Sequence, residues 1–144
     1  MLPVNIQRLD NCYDLPARRD RTDAGWDCYA AEDALLLPRT IGKVPLGFSL
    51  EIPEDWAVLL LPRSGLASKG ITLSNSPGLI DASYRGPVCA LVFNQSDEAF
   101  TVRRGDRICQ LVFLPVPDVQ WQETAELSET ARGTGGFGST GVSG

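Results

Sequence analysis

Residues 88 to 113 read VCALVFNQSDEAFTVRRGDRICQLVF. Three short runs rich in β-branched and aromatic residues, 88 to 94, 99 to 103 and 107 to 113, are separated by polar, turn-forming segments. Runs of this length between turn signals predict strands rather than helices. Residues 88 to 93 are apolar on both faces, the pattern of a strand packed on two sides in a sandwich or at the centre of an oligomer. The same texture continues outward. Fourteen glycines and ten prolines punctuate the chain, and further strands are expected at 26 to 30 (WDCYA), 46 to 51 (LGFSLE) and 56 to 61 (WAVLLL). The best short-helix candidate is 64 to 69, SGLASK, opened by a serine suited to capping it. There is no internal repeat and no interdomain linker, so the expectation is one all-β domain.

Length and composition agree with that expectation. At 144 residues, folding should bury about 70% of the unfolded surface, so no metal or disulfide staple is needed. Hydrophobic residues make up 43% and charged residues 22%, which disfavours extended disorder, collagen and coiled coil. No apolar run approaches the roughly 20 residues of a membrane span. The first residues, MLPVNIQRLDNCYD, interrupt their apolar positions with Asn, Gln and Asp, unlike a secretory signal. A cytoplasmic protein without a membrane partner is expected.

The net charge of −5 argues against a general nucleic-acid surface, but it leaves room for a small polyanionic ligand. Eleven of the thirteen basic residues are Arg, whose planar fork suits bidentate contact with phosphate, although most such residues in any protein are solvated surface charges. Histidine is absent. That excludes Ser-His-Asp and Cys-His mechanisms and imidazole zinc sites, leaving proton transfer to carboxylates, Tyr, Lys or water. Cys12, Cys28, Cys89 and Cys109 lie far apart with no C-x-x-C pair, which favours reduced thiols acting as small hydrophobes over a disulfide or metal site.

The end of the chain differs in kind. RGTGGFGSTG, 132 to 141, holds five glycines in ten residues, too many for a packed element, together with Arg132 and Phe137. Amides freed by glycine can wrap phosphates, and a Phe ring can cover a base. The chain therefore divides into a core, 1 to 131, and a mobile arm, 132 to 144.

Four other segments stand in fixed order with this arm: DAGWDCYA (23 to 30), PRSGLASKG (62 to 70), NSPGLIDASYRG (75 to 86) and RGDRICQLVF (104 to 113). Together the five resemble the motifs of the trimeric dUTPases, the deoxyuridine triphosphate nucleotidohydrolases, over residues 23 to 141. The resemblance implies a distorted jelly-roll sandwich of the dUTPase-like β-clip kind, a homotrimer with shared sites, and Mg²⁺-dependent hydrolysis of dUTP to dUMP and pyrophosphate. Such an activity limits uracil in DNA and supplies dUMP for dTMP synthesis.

Asp81 follows GLI at the end of an apolar strand, where partial burial would hold a water against the carboxylate as general base. The resemblance assigns it the water that attacks the α-phosphorus and a place near the 3′-hydroxyl. Residues 75 to 84 read as a hairpin, with Pro77 stiffening the bend and Gly78 granting close approach. The resemblance places uracil against the backbone of Gly78, Leu79 and Ile80, with Asn75 adding side-chain bonds and Tyr84 packing on the sugar edge to exclude a 2′-hydroxyl. Cytosine would leave buried polar groups unpaired, which can cost a factor on the order of 10⁴.

Arg63, Ser64 and Gly65 at a helix start suit a phosphate, and the resemblance gives them the triphosphate, with Ser64 near the bridging oxygen of the leaving pyrophosphate. Lys69-Gly70 is one residue shorter than the family pattern, which leaves the role of Lys69 open. By the same resemblance Gln110 contacts the phosphate end, and Asp27 accepts from metal-bound water as an outer-sphere group. Trp26 and Cys28 are packing substitutions. Arg132, Phe137, Gly138 and Ser139 would close over a neighbouring subunit's site, Arg132 on the phosphates and Phe137 on the uracil. A dCTP deaminase shares this fold but needs an added carboxylate beside the base, and none stands in or beside NSPGLIDASYRG. A non-catalytic nucleotide-sensing module would be marked by loss of Asp81, which is present.

Overall fold

In the computed structural model, residues 1–141 are described. They form β1 (Asn5–Arg8), β2 (Trp26–Tyr29), β3 (Ala34–Leu36), β4 (Ile41–Pro45), β5 (Phe48–Glu51), β6 (Trp56–Leu61), α1 (Ser64–Ala67), β7 (Ile71–Leu73), β8 (Gly78–Ile80), β9 (Cys89–Asn94), β10 (Phe100–Val102) and β11 (Arg107–Pro115). The expected all-β class holds, and all six expected strands are present with small shifts at their ends. Of the five further strands, β8 is the apolar strand expected just before Asp81, while β1, β3, β4 and β7 stand outside the expected set.

All pairings between strands are antiparallel. The largest sheet runs β2-β11-β6-β8, and a second runs β4-β9-β7; β1 pairs β5 and β10 pairs β3. Alternation explains the layering. In β9, Ala90, Val92 and Asn94 point inward and are buried, while Cys89, Leu91 and Phe93 on the other face are half-buried. The core gathers Phe48, Leu46, Val44, Val58, Val92, Val102 and Leu111 with Cys28 and Cys109. Among the described residues Ser49 and Asn94 are the buried polar ones, and the Asn94 amide is fully used. Nδ2 donates to the carbonyls of Leu36 (3.0 Å) and Glu98 (2.8 Å), and Oδ1 accepts from the Ser96 amide and hydroxyl.

Two local readings need correction. Ser64 does not cap α1: it is the first helical residue, Arg63 is the cap position, and no side chain bonds the free amides there. Residues 75 to 84 are not a hairpin. β7 pairs with β9 and β8 with β6, so the chain between them, through the cis Ser76-Pro77 bond, crosses from one sheet to the other. Local turn chemistry specifies a reversal; which strand edge is free to receive the returning chain depends on residues far away.

β8 consequently lies at the edge of the four-stranded sheet, paired only on its β6 side. The sheet framework ends at Pro115, and residues 116–131 are exposed and free of helix or strand. Of the expected arm, residues 142–144 lie outside the described residues.

Candidate active site

Asp27 sits on β2 with its carboxylate shared by two guanidinium groups. Arg63 Nε approaches Oδ1 at 2.9 Å and Arg107 Nη1 approaches Oδ2 at 3.1 Å. Arg63 also donates through Nη1 to the Arg107 carbonyl at 2.9 Å, closing a ring of three residues. The backbone makes this ring possible. The register of β11 against β2 shifts between Arg107, opposite Tyr29, and Cys109, opposite Cys28, which sets Gln110 opposite Asp27 and leaves Arg107 at the irregular end of the pairing.

Around the ring lies a cavity of about 660 Å³, lined among others by Arg19, Ser64, Gly65, Lys69 and Gln110. Gln110 donates from Nε2 to the Pro62 carbonyl at 3.0 Å, which holds the segment entering α1. Its side chain lies over Gly25, where a Cβ would overlap Gln110 Oε1. The turn after α1 passes through Gly70 at φ +79°, a left-handed conformation that glycine adopts freely, and Lys69 lines the cavity wall. Arg107, Arg19 and Lys69 thus join the expected Arg63, Ser64, Gly65, Gln110 and Asp27 in one basic cleft. Arg107 was missed by sequence reasoning because an Arg at the start of a strand carries no local sign of its partner; the mark that could have found it is its place in RGDRICQLVF.

A second cavity of about 290 Å³ collects Asn75, Gly78, Leu79, Ile80, Asp81 and Tyr84, with Lys43, Pro87 and Cys89. Gly78 passes close beneath Asn75, since a Cβ there would stand 3.2 Å from Asn75 Nδ2. Asp81 is exposed in the single chain, not partly buried as expected, and lies just beyond the end of the edge strand β8. The turn that follows is braced by Arg85, whose Nη1 donates to the carbonyls of Ala82 (2.6 Å) and Tyr84 (3.1 Å). Cys89 is half-buried in this cavity, and burial raises its thiol pKa. Cys28 is raised further, by desolvation first and by the neighbouring Cys109 thiol, as suits an inert core residue.

The two cavities share no lining residue, so one chain brings the expected phosphate group and the expected base group together separately. Arg132, Phe137, Gly138 and Ser139 line neither. Arg132 turns back on its own segment, donating from Nε to the Gly135 carbonyl at 2.7 Å, and the Phe137 ring is fully exposed. Trp26 packs edge-on against Phe113 at 5.4 Å under the Arg18 guanidinium, in keeping with a packing role.

A family model described as dUTPase matches residues 12–141. The chain belongs to the dUTPase family. The match takes in all five segments, including the glycine-rich end. The chain is 51% identical over 146 aligned residues to the deoxyuridine 5′-triphosphate nucleotidohydrolase of Rhizobium leguminosarum bv. trifolii, covering 96% of this chain and 94% of that one. It is 45% identical to the protein of the same name from Gloeobacter violaceus, covering 96% of each. Among solved structures it is similar to a Staphylococcus bacteriophage 80alpha dUTPase, a G164S mutant with dUpNHpp, with a TM-score of 0.89, 28% identity and coverage of 97% of this chain and 99% of that one. The all-β framework is thus that of dUTPase structures. No helix of the described residues is long and apolar enough to cross a membrane.

Proposed function

We propose that this chain hydrolyses dUTP to dUMP and pyrophosphate as a homotrimer in the cytoplasm. The observation that carries the reading is the pairing, in a member of the dUTPase family, of a guanidinium-rich cleft with an edge-strand cavity ending in a free carboxylate. Neither cavity suffices alone. A triphosphate fits the charge of Arg63, Arg107 and Lys69, and a base fits the open edge of β8 beside Asn75. Joining them calls for a second copy, and the half-buried outer face of β9 offers apolar surface for such a contact. The arm, 132 to 144, would come from a neighbouring subunit, with Gly138 and Ser139 supplying polar contacts beside Arg132 and Phe137.

Within that assembly, Asp81 takes the proton of the water that attacks the α-phosphorus. Arg63, Ser64, Gly65 and Gln110 hold the phosphates in line, and Arg132 adds charge when the arm closes. Gly78, Leu79 and Ile80 read the base through main-chain groups, with Asn75 adding its amide; Phe137 covers the ring, and closure expels bulk water. Tyr84 rests on the sugar edge.

The donor set also decides how a metal ion can be held. Among the described residues no three His, Cys, Asp or Glu side chains gather as a metal site, and both oxygens of Asp27 are engaged by guanidinium groups. This set fits an ion carried by phosphate oxygens and water, with Asp27 accepting from a coordinated water. Bound in that way, Mg²⁺ supplies neutralisation of phosphate charge.

Pyrophosphate release from dUTP, dCTP, dTTP and UTP with Mg²⁺, followed by phosphorus NMR, tests the proposal. Release from dUTP alone is expected. Ammonia and a uracil nucleotide from dCTP would instead establish a deaminase, and binding of dUTP without turnover would establish a sensor.

A further inference from the structure

Tyr84 does not stand free in the base cavity. Its hydroxyl donates to the Pro87 carbonyl at 3.0 Å, and its ring lies against the backbone at Gly86. A Cβ at Gly86 would stand 2.5 Å from Tyr84 Oη, 2.7 Å from Cζ and 3.0 Å from Cε2. These separations are shorter than real side chains tolerate, so the ring would have to move. The backbone itself makes no such demand, since Gly86 is not among the glycines with positive φ. What requires glycine here is the ring above it.

We propose that Gly86 sets the sugar discrimination of the site: its bare Cα provides the seat that fixes the Tyr84 ring against the sugar edge. The inference rests on the reading of Tyr84 as the group that excludes a 2′-hydroxyl. Three features act together. Arg85 braces the turn through the Ala82 and Tyr84 carbonyls, Pro87 supplies the hydroxyl's acceptor, and Gly86 leaves room for the ring between them. A side chain at 86 lifts the ring off its seat and breaks the tether to Pro87. The space from which a 2′-hydroxyl is excluded then opens, while Asp81 and the phosphate cleft are untouched. Gly86 is therefore a positioning residue that acts through Tyr84.

The test compares kcat/KM for dUTP and UTP in the full-length wild type, Gly86→Ala and Tyr84→Phe, with the thermal midpoint of each. In Gly86→Ala the dUTP-over-UTP ratio should fall about tenfold or more, mainly through better use of UTP, with kcat for dUTP little changed. Tyr84→Phe keeps the ring but loses the tether, so its ratio should fall less. A folded Gly86→Ala protein with the wild-type ratio overturns the proposal. If that variant does not fold, an unchanged ratio in Tyr84→Phe overturns it instead. Failure of the wild type to prefer dUTP over UTP would show separately that the reading of Tyr84 is wrong.

Discussion

Asp27, Arg63 and Arg107 show how a few side chains can be fixed before any ligand arrives. Each Asp27 oxygen has its own guanidinium, at 2.9 and 3.1 Å, and the Arg107 carbonyl takes a further Arg63 donor. Side chains of this length lose much freedom on binding, so holding them in advance lowers the cost of ordering them on a phosphate. Arg107→Gln should loosen the ring and raise KM for dUTP by about tenfold, with a smaller effect on kcat, as initial rates would show. Asp81→Asn should behave in the opposite way. Affinity for dUTP measured by calorimetry should persist while kcat falls by about two to four orders of magnitude, because only the proton acceptor is lost. Asp81, Arg63 and Asn75 stand out in the sequence because each sits in a motif whose order is distinctive, and the structure sets them on the walls of the two cavities. The ring itself was not legible, since it depends on a register shift between Arg107 and Cys109 that no local pattern announces.

The elements divide by how much of their specification is local. β6 and β11 are long enough, at six and nine residues, for apolar texture to show, and both were read from sequence. β3 and β7 have three residues each, too few to display a period, and they exist because a partner strand receives them; β10 is as short but is marked by the polar turn segments that bound it. β1 is exposed throughout and is defined only by its pairing with β5. The hairpin expected over 75 to 84 gives way to a crossing between sheets for the same reason: β8 pairs with β6 and β7 with β9. The glycine-rich end is the converse case, plain in composition, while among the described residues Arg132, Phe137, Gly138 and Ser139 line neither cavity. Because its described residues, 132–141, line neither cavity, removal of 132 to 144 should leave the thermal unfolding midpoint nearly unchanged. Turnover of dUTP should nevertheless fall steeply, and a truncated protein with wild-type kcat/KM would assign closure to another segment.

At the scale of the whole molecule, exposed carboxylates tie distant segments together. Asp33 is held below the ordinary carboxyl value of 3.8, first by the Arg104 amide and then by Arg103, joining the start of β3 to the turn before β11. Asp14 is lowered likewise by the Leu15 amide and Arg8. A depressed folded value means that this support is present above the unfolded carboxyl pKa and disappears as pH falls through the lower folded one. Unfolding midpoints measured from about pH 5 downward should therefore drop, and Asp33→Asn should flatten that drop. β8 has a different kind of consequence. A base recognised by the main chain of an edge strand is recognised by atoms that every amino acid possesses, and the Leu79 side chain is 65% exposed. On the proposed function, substitutions at position 79 would accumulate without altering which base is accepted, and base preference would be inherited with the path of the backbone, shielded from the drift of the side chains along it.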